Sequence, residues 1–151
     1  MNNYSTFEEQ LALHGELLYK SVGNSMEPFI VQGRDILLIT RPEGRLKKYD
    51  VPLYRRPDGQ YVLHRVYRVL RDGYVICGDN RISLEKNVKD EQVIGVLTKI
   101  IRCGREISLS GFKYRLYCFA ICDLYFIRWL RFKFRAALRK IKELFTFGRK
   151  K

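Results

Sequence analysis

Metal-ligand sets are missing from this sequence. Its four cysteines, Cys77, Cys103, Cys118 and Cys122, contain no C-x-x-C pair, and His14 and His64 are its only histidines. A zinc-type site needs such groups in tighter company, so neither a metal nor another cofactor is expected. No signal peptide is evident either: the opening MNNYSTFEEQLALHGELLYK is polar and holds no apolar run long enough to export or anchor the chain. The thiols are therefore expected to stay reduced in a cytosolic chain, where they serve as small buried hydrophobes. Glycine and proline vanish over the 36 residues from Phe112 to Phe147. That absence excludes tight turns there and predicts helix. Long apolar runs are absent too. The longest uncharged run in that stretch, Leu116 to Cys122, falls far short of the roughly 20 apolar residues that cross a bilayer.

Acidic residues are scarce: 16 Asp and Glu face 29 Lys and Arg, a net charge of +13 that implies an anionic partner, either nucleic acid or an anionic membrane face. The excess sits at one end. Residues 112–151 hold 12 basic side chains against Asp123 and Glu143, while residues 1–111 hold 17 against 14. The same tail carries 11 of the 20 aromatic side chains. This shift marks a boundary at Ser110-Gly111. At 151 residues, 46% of them apolar and 30% charged, the chain is long enough for one folded core with an appendage and excludes wholesale disorder, collagen and repeat arrays.

Ser5 followed by Glu8 resembles a capping box, and Phe7, Leu11, Leu13, Leu17 and Leu18 predict a short amphipathic helix ending near Lys20, with His14 on its surface. Short β-rich runs follow at 35–40, 51–56, 60–70, 73–77, 93–102 and 106–109. Pro57-Asp58-Gly59, Asp72-Gly73 and Gly104-Arg105 separate them with turn chemistry suited to hairpins. The expected fold class is mostly β (α+β): an N-terminal helix over 1–20, an antiparallel β body over 21–110 and a long basic amphipathic helical tail over 111–151.

Two segments carry candidate chemistry. In Gly23-Asn24-Ser25-Met26-Glu27-Pro28 a glycine permits close backbone approach and a proline fixes the exit direction, so the turn can present the Ser25 hydroxyl. Serine in a turn also commonly satisfies local backbone groups. In Tyr61-Val62-Leu63-His64-Arg65-Val66-Tyr67, strand alternation puts His64 on the face of Val62 and Val66, opposite Leu63, Arg65 and Tyr67. An imidazole, which ordinarily titrates near pH 6.5, can accept a proton from a serine hydroxyl. A histidine at such a place can equally be a satisfied core residue.

These segments resemble the signal peptidase I family of serine peptidases, within the wider group that includes the LexA-type self-cleaving repressors. The resemblance runs from about Ser21 to Arg102. It rests on Gly-Asn-Ser-Met-Glu-Pro around Ser25, Gly-Arg-Asp-Ile-Leu-Leu at 33–38, Tyr-Asp-Val at 49–51, Val-Leu-His-Arg-Val at 62–66, Gly-Asp-Asn at 78–80 and Val-Ile-Gly-Val at 93–96. It implies that Ser25 is the nucleophile. The base in that family is lysine in the common bacterial branch and histidine in the branch typical of the endoplasmic reticulum and some Gram-positive bacteria, and His64 stands in that position. The resemblance further implies that Asp79 pairs with Arg65, with Asn80 completing the turn, and that an acid about six residues on, here Glu85, orients the base. Either Glu85 or Asp79 could hold the imidazole tautomer; Glu85 could also be a solvated loop charge between Arg81 and Lys86. The Ser25 backbone N–H is the candidate oxyanion donor, and Gly23 stands where some relatives offer a second hydroxyl.

The implied activity is endopeptidase cleavage of a leader or signal-type peptide or preprotein, with small side chains at the cleaved bond and the substrate extended along a strand edge. Both ends depart from the family's pattern, which has an N-terminal membrane anchor. The expectation is a bacterial peptidase held peripherally on the cytoplasmic face of the cytoplasmic membrane, with Trp129, Arg128, Arg131, Lys133 and Arg135 of the tail meeting anionic lipid. Two other readings stand beside it. In a self-cleaving DNA-binding regulator the tail would meet phosphates, yet about 20 residues before the protease motifs are too few for a helix-turn-helix domain. A noncatalytic membrane or peptide adaptor would have no use for Ser25 and His64. Nucleic acid is the less favoured partner, because the apolar positions of the tail follow a helix face.

Overall fold

The computed structural model describes residues 6–147 and has an α+β fold of mostly antiparallel sheet with a few helices. Helix α1 spans Phe7–His14. Its capping box is one residue later than expected: the Thr6 side chain accepts from the Glu9 N–H and the Glu9 side chain accepts from the Thr6 N–H, whereas Ser5 lies outside the described residues. Gly15, in the left-handed conformation at φ 75°, stops α1 six residues before its expected end. Leu17 and Leu18 then belong to strand β1 (Glu16–Tyr19), because pairing with β2 (Asp35–Thr40) buries Leu17 in a way that a free helical turn could not.

The remaining strands are β3 (Pro52–Arg55), β4 (Tyr61–Leu63), β5 (Arg65–Leu70), β6 (Gly73–Cys77), β7 (Glu85–Val88), β8 (Val93–Arg102) and β9 (Arg105–Ile107). One sheet runs β1-β2-β8-β3-β4, with β9 paired to the far end of β8, and the second runs β5-β6-β7. All pairings are antiparallel. The turns at 57–59, 71–72 and 103–104 close the hairpins β3-β4, β5-β6 and β8-β9. In β2 burial alternates strictly, with Asp35, Leu37 and Ile39 inward, which is how one strand face joins a core.

The expected strand over 60–70 is two strands in two sheets, parted at His64. This corrects the simple alternation around the histidine. Leu63, His64, Arg65, Val66 and Tyr67 are all buried, because the chain passes from one sheet to the other and is covered on both sides. Leu63 enters a core with Leu11, Met26, Ile30, Leu37 and Leu53, whereas Val66 enters a second with Leu46, Tyr54, Tyr74 and Ile76. Strand β7 falls where a loop was expected; its polar Glu-Lys-Asn-Val sequence carries no apolar alternation, and pairing with β6 makes it a strand.

After Ser110 the described chain forms two helices, α2 (Gly111–Cys122) and α3 (Tyr125–Phe147), parted at Asp123-Leu124. The Asp123 carboxylate there accepts hydrogen bonds from Lys48 Nζ and from Tyr49 Oη at 2.6 Å, tying the junction to the body. Residues 148–151 of the expected tail lie outside the described residues. None of the four cysteines is in a disulfide; Cys77, Cys118 and Cys122 are buried, and burial pushes the Cys77 thiol up to about 11.

Candidate active site

Ser25 lies in the irregular loop between β1 and β2. Gly23 at φ 91° supplies a left-handed turn that β-carbon-bearing residues rarely adopt, and its N–H donates to Gln32 Oε1 at 2.6 Å. Beyond it, Met26 and Ile30 are sunk in the core, 4% and 1% exposed, and anchor the loop on the far side of the serine. The Glu27-Pro28 peptide bond is cis. Ser25 is half-buried, and among the described residues neither its hydroxyl nor its N–H makes a hydrogen bond.

The turn after β6 clamps this loop. Asn80 N–H donates to the Ser25 carbonyl at 2.8 Å, Asn80 Nδ2 to the Asn24 carbonyl at 3.1 Å, and Arg81 Nη2 to Asn24 Oδ1 at 2.8 Å. Gly78 makes the clamp possible. A β-carbon there would stand 2.6 Å from the Ser25 carbonyl oxygen and 3.1 Å from His64 Nε2. The Ser25 main chain and the Nε2 edge of the imidazole thus converge on one stretch of bare backbone.

At the other edge of the ring, His64 Nδ1 lies 3.1 Å from Glu85 Oε1. Burial pushes the Glu85 carboxyl up, but hydrogen bonds from His64, Arg56 and Tyr54 outweigh it and hold the group well below the ordinary carboxylate range. An ionised carboxylate only accepts, so the proton of a neutral imidazole sits on Nδ1 and the lone pair on Nε2, toward Ser25. Arg56 grips Glu85 with two nitrogens, Nε at 2.8 Å and Nη2 at 2.5 Å. The wholly buried Tyr54 brings its hydroxyl to 3.5 Å from His64 Nδ1.

Asp79 is elsewhere engaged. Its carboxylate receives Arg65 Nε at 2.9 Å and Nη2 at 2.8 Å, with both side chains fully buried, and accepts a third bond from Tyr117 Oη at 2.9 Å. Arg65 lies over the rings of Phe29, Tyr114 and Tyr117, which fastens α2 to the body. Of the two acids expected near the base, Glu85 therefore contacts His64, and Asp79 serves the buried arginine.

Ser25 and His64 line one cavity of about 250 Å³, bounded by Tyr19, Val22 and Gly23 on the β1 side and by Gln60, Tyr61 and Leu63 on the β4 side. Sequence reasoning missed three of its features. Arg56 and Tyr54 reach Glu85 from β3 and the residue after it, across a sequence gap no spacing rule covers; Ser21 Oγ is buried in the cavity region without a hydrogen-bond partner. A serine four residues before Ser25 carried no signal. Among the described residues no cluster of His, Cys, Asp and Glu could hold a metal ion.

Of the residues expected to face lipid, Arg128 is turned inward. It donates to the carbonyls of Asp79 at 2.8 Å and Arg81 at 2.7 Å and lies over Tyr67 and Tyr125. Lys133 lies over the Trp129 ring, and Arg131 and Arg135 are exposed. No described helix is long and apolar enough to cross a membrane. No protein-family model matches the chain, and no curated protein matches it in sequence.

Proposed function

We propose that the protein is a serine endopeptidase of the signal peptidase I type, in its Ser-His branch, acting on leader or signal-type peptides. The observation that carries this reading is the arrangement of His64, with a carboxylate on Nδ1 and the Ser25 loop beyond Nε2 in one cavity. Ser25 Oγ attacks the peptide carbonyl and its proton passes to Nε2. The oxyanion takes the Ser25 N–H, which no other group uses among the described residues. Collapse of the intermediate breaks the C–N bond, the amine leaves with the proton from Nε2, and water activated by the same nitrogen hydrolyses the ester. Glu85 stabilises the imidazolium formed on the way.

The substrate lies extended between β1 and β4. Each is an edge strand with a single partner, and the cavity runs between them, so a peptide can add main-chain hydrogen bonds to either side. The signal peptidase-like β body is the part of the chain that performs this chemistry; the helical tail is an interfacial anchor on an anionic membrane, at its cytoplasmic face. Phe126, Leu130 and Phe134 are exposed at helical spacing beside Arg131 and Arg135, a pattern suited to the headgroup boundary.

The test is labelling with an active-site-directed acylating probe, together with cleavage of a leader-type peptide. The expected result is a single adduct on Ser25, absent in Ser25→Ala, and cleavage lowered by several orders of magnitude in Ser25→Ala and His64→Ala, both of which keep the fold intact. An unlabelled Ser25 in folded protein would make the molecule an adaptor, and His64→Ala cleaving at the parent's rate would return the histidine to a structural role.

A further inference from the structure

A second cavity, of about 580 Å³, lies between the 79–82 turn and the outer faces of α2 and α3. We infer that it is a binding site for one anionic lipid molecule, its phosphate on Arg131 and Arg135 and its acyl chain along the apolar wall. This deepens the membrane reading of the tail and does not depend on the peptidase chemistry.

Two observations carry it. The first is charge. Arg81, Arg128, Arg131 and Arg135 line the cavity against only two acids, Glu27 and Asp79, and the Asp79 carboxylate is taken up by Arg65 and Tyr117. Arg128 is held by backbone carbonyls and forms part of the wall. Arg131 and Arg135 are exposed and pair with neither Glu27 nor any other acid among the described residues, which leaves two guanidinium groups to meet an external anion. Arginine forks match phosphate oxygens in pairs.

The second is shape. Pro28, Ile82, Ile121, Leu124, Ile127 and Phe132 form a concave apolar wall beneath that rim. The volume falls within the range of small-molecule sites, roughly 300–1,000 Å³. A partner helix would instead need a broad face, since stable protein interfaces bury on the order of 1,200 Å² or more. A site with a charged rim and an apolar floor calls for an amphiphile. Its source is at hand: Phe126, Leu130 and Phe134, exposed on α3, are residues that would enter the bilayer, which brings lipid to the helix that lines the cavity.

The experiment titrates the full chain by calorimetry with dihexanoyl phosphatidylglycerol below its micelle concentration, and in parallel measures sedimentation with anionic vesicles. The expected result is saturable one-to-one binding, weakened about tenfold or more in the Arg131→Gln/Arg135→Gln variant and for dihexanoyl phosphatidylcholine. Because both arginines are exposed, the melting temperature of that variant should equal the parent's. Ile127→Ser, which leaves every arginine in place, should also weaken binding. Equal binding of the choline lipid, unchanged binding in the double arginine variant, or full displacement by inorganic phosphate at matched concentration would overturn the site. So would preference for an acidic helical peptide. Sedimentation with vesicles but no binding of the monomeric lipid overturns the cavity while leaving the interfacial helix standing. Monomer binding without sedimentation supports the cavity and removes the helix as anchor.

Discussion

Arg56 holds Glu85 by two charge-assisted hydrogen bonds, and the same carboxylate oxygen that meets Arg56 Nη2 meets His64 Nδ1. The arginine thereby fixes where the acceptor of the imidazole N–H stands. A glutamate side chain has three rotatable bonds, and the guanidinium clamp removes the freedom they would give its carboxylate.

Replacing Arg56 should therefore act through Glu85. Arg56→Gln is expected to lower the cleavage rate by about tenfold to a hundredfold, the scale of one lost charge-assisted hydrogen bond, with KM nearly unchanged. Arg56→Lys should recover part of the loss. Steady-state kinetics on a leader-type peptide would show it, and a change confined to KM would assign Arg56 to substrate binding.

Glu85→Gln and Asp79→Asn should fail in different ways. The first leaves packing intact but removes the charge that stabilises the imidazolium, so the rate falls by orders of magnitude while thermal unfolding stays within a few degrees. The second leaves the Arg65 guanidinium, fully buried, without its anion. Breaking such a pair costs about 3–5 kcal/mol, and denaturant unfolding should report it. If both variants lost stability equally and neither lost rate beyond that, the division of labour between the acids would be wrong.

Gly78→Ala tests the convergence of the two loops. Its added methyl would sit 2.6 Å from the Ser25 carbonyl oxygen, a backbone atom held by Asn80 N–H, so the loop must move away from the histidine. Cleavage and acylation by the probe should drop together, with a smaller loss of stability. Wild-type labelling rates in Gly78→Ala would show that the turn does not position the serine.

Acid should weaken the fold. Burial raises the carboxyls of Asp35, Glu85 and Asp123, but their hydrogen bonds outweigh it and hold all three below the ordinary range: Arg34 and Arg102 on Asp35, His64 and Arg56 on Glu85, Lys48 and Tyr49 on Asp123. Groups depressed in the folded state stabilise it fully above their unfolded values, about pH 4, and lose that contribution as pH falls through the folded ones. Asp50, raised by burial, has the opposite sign and cannot offset three. The melting temperature should fall steadily below about pH 4.5. In the range above pH 5 Glu85 stays ionised, so its own titration should leave no step in the cleavage rate there.

The local chemistry of the chain sufficed for much of this. Turn residues at 57–59, 72–73 and 104–105 determined three hairpins because tight turns depend on a few adjacent residues. After Gly111, where one long helix was expected, the described chain forms two, α2 and α3, and the short motifs around Ser25, His64 and Gly78 singled out segments that meet in space. What depends on partners distant in sequence was decided only by the tertiary structure. Leu17 and Leu18 suit a helix as well as a strand, and β2 alone makes them a strand. His64 reads as mid-strand until two sheets part at it. Between Glu85 and Asp79 the sequence offers two carboxylates of nearly equal claim; packing gives one to the imidazole and the other to Arg65. Arg128 was expected to meet lipid and Arg56 stood out in no motif, since a side chain's partner across the fold leaves no periodic trace in its own neighbourhood.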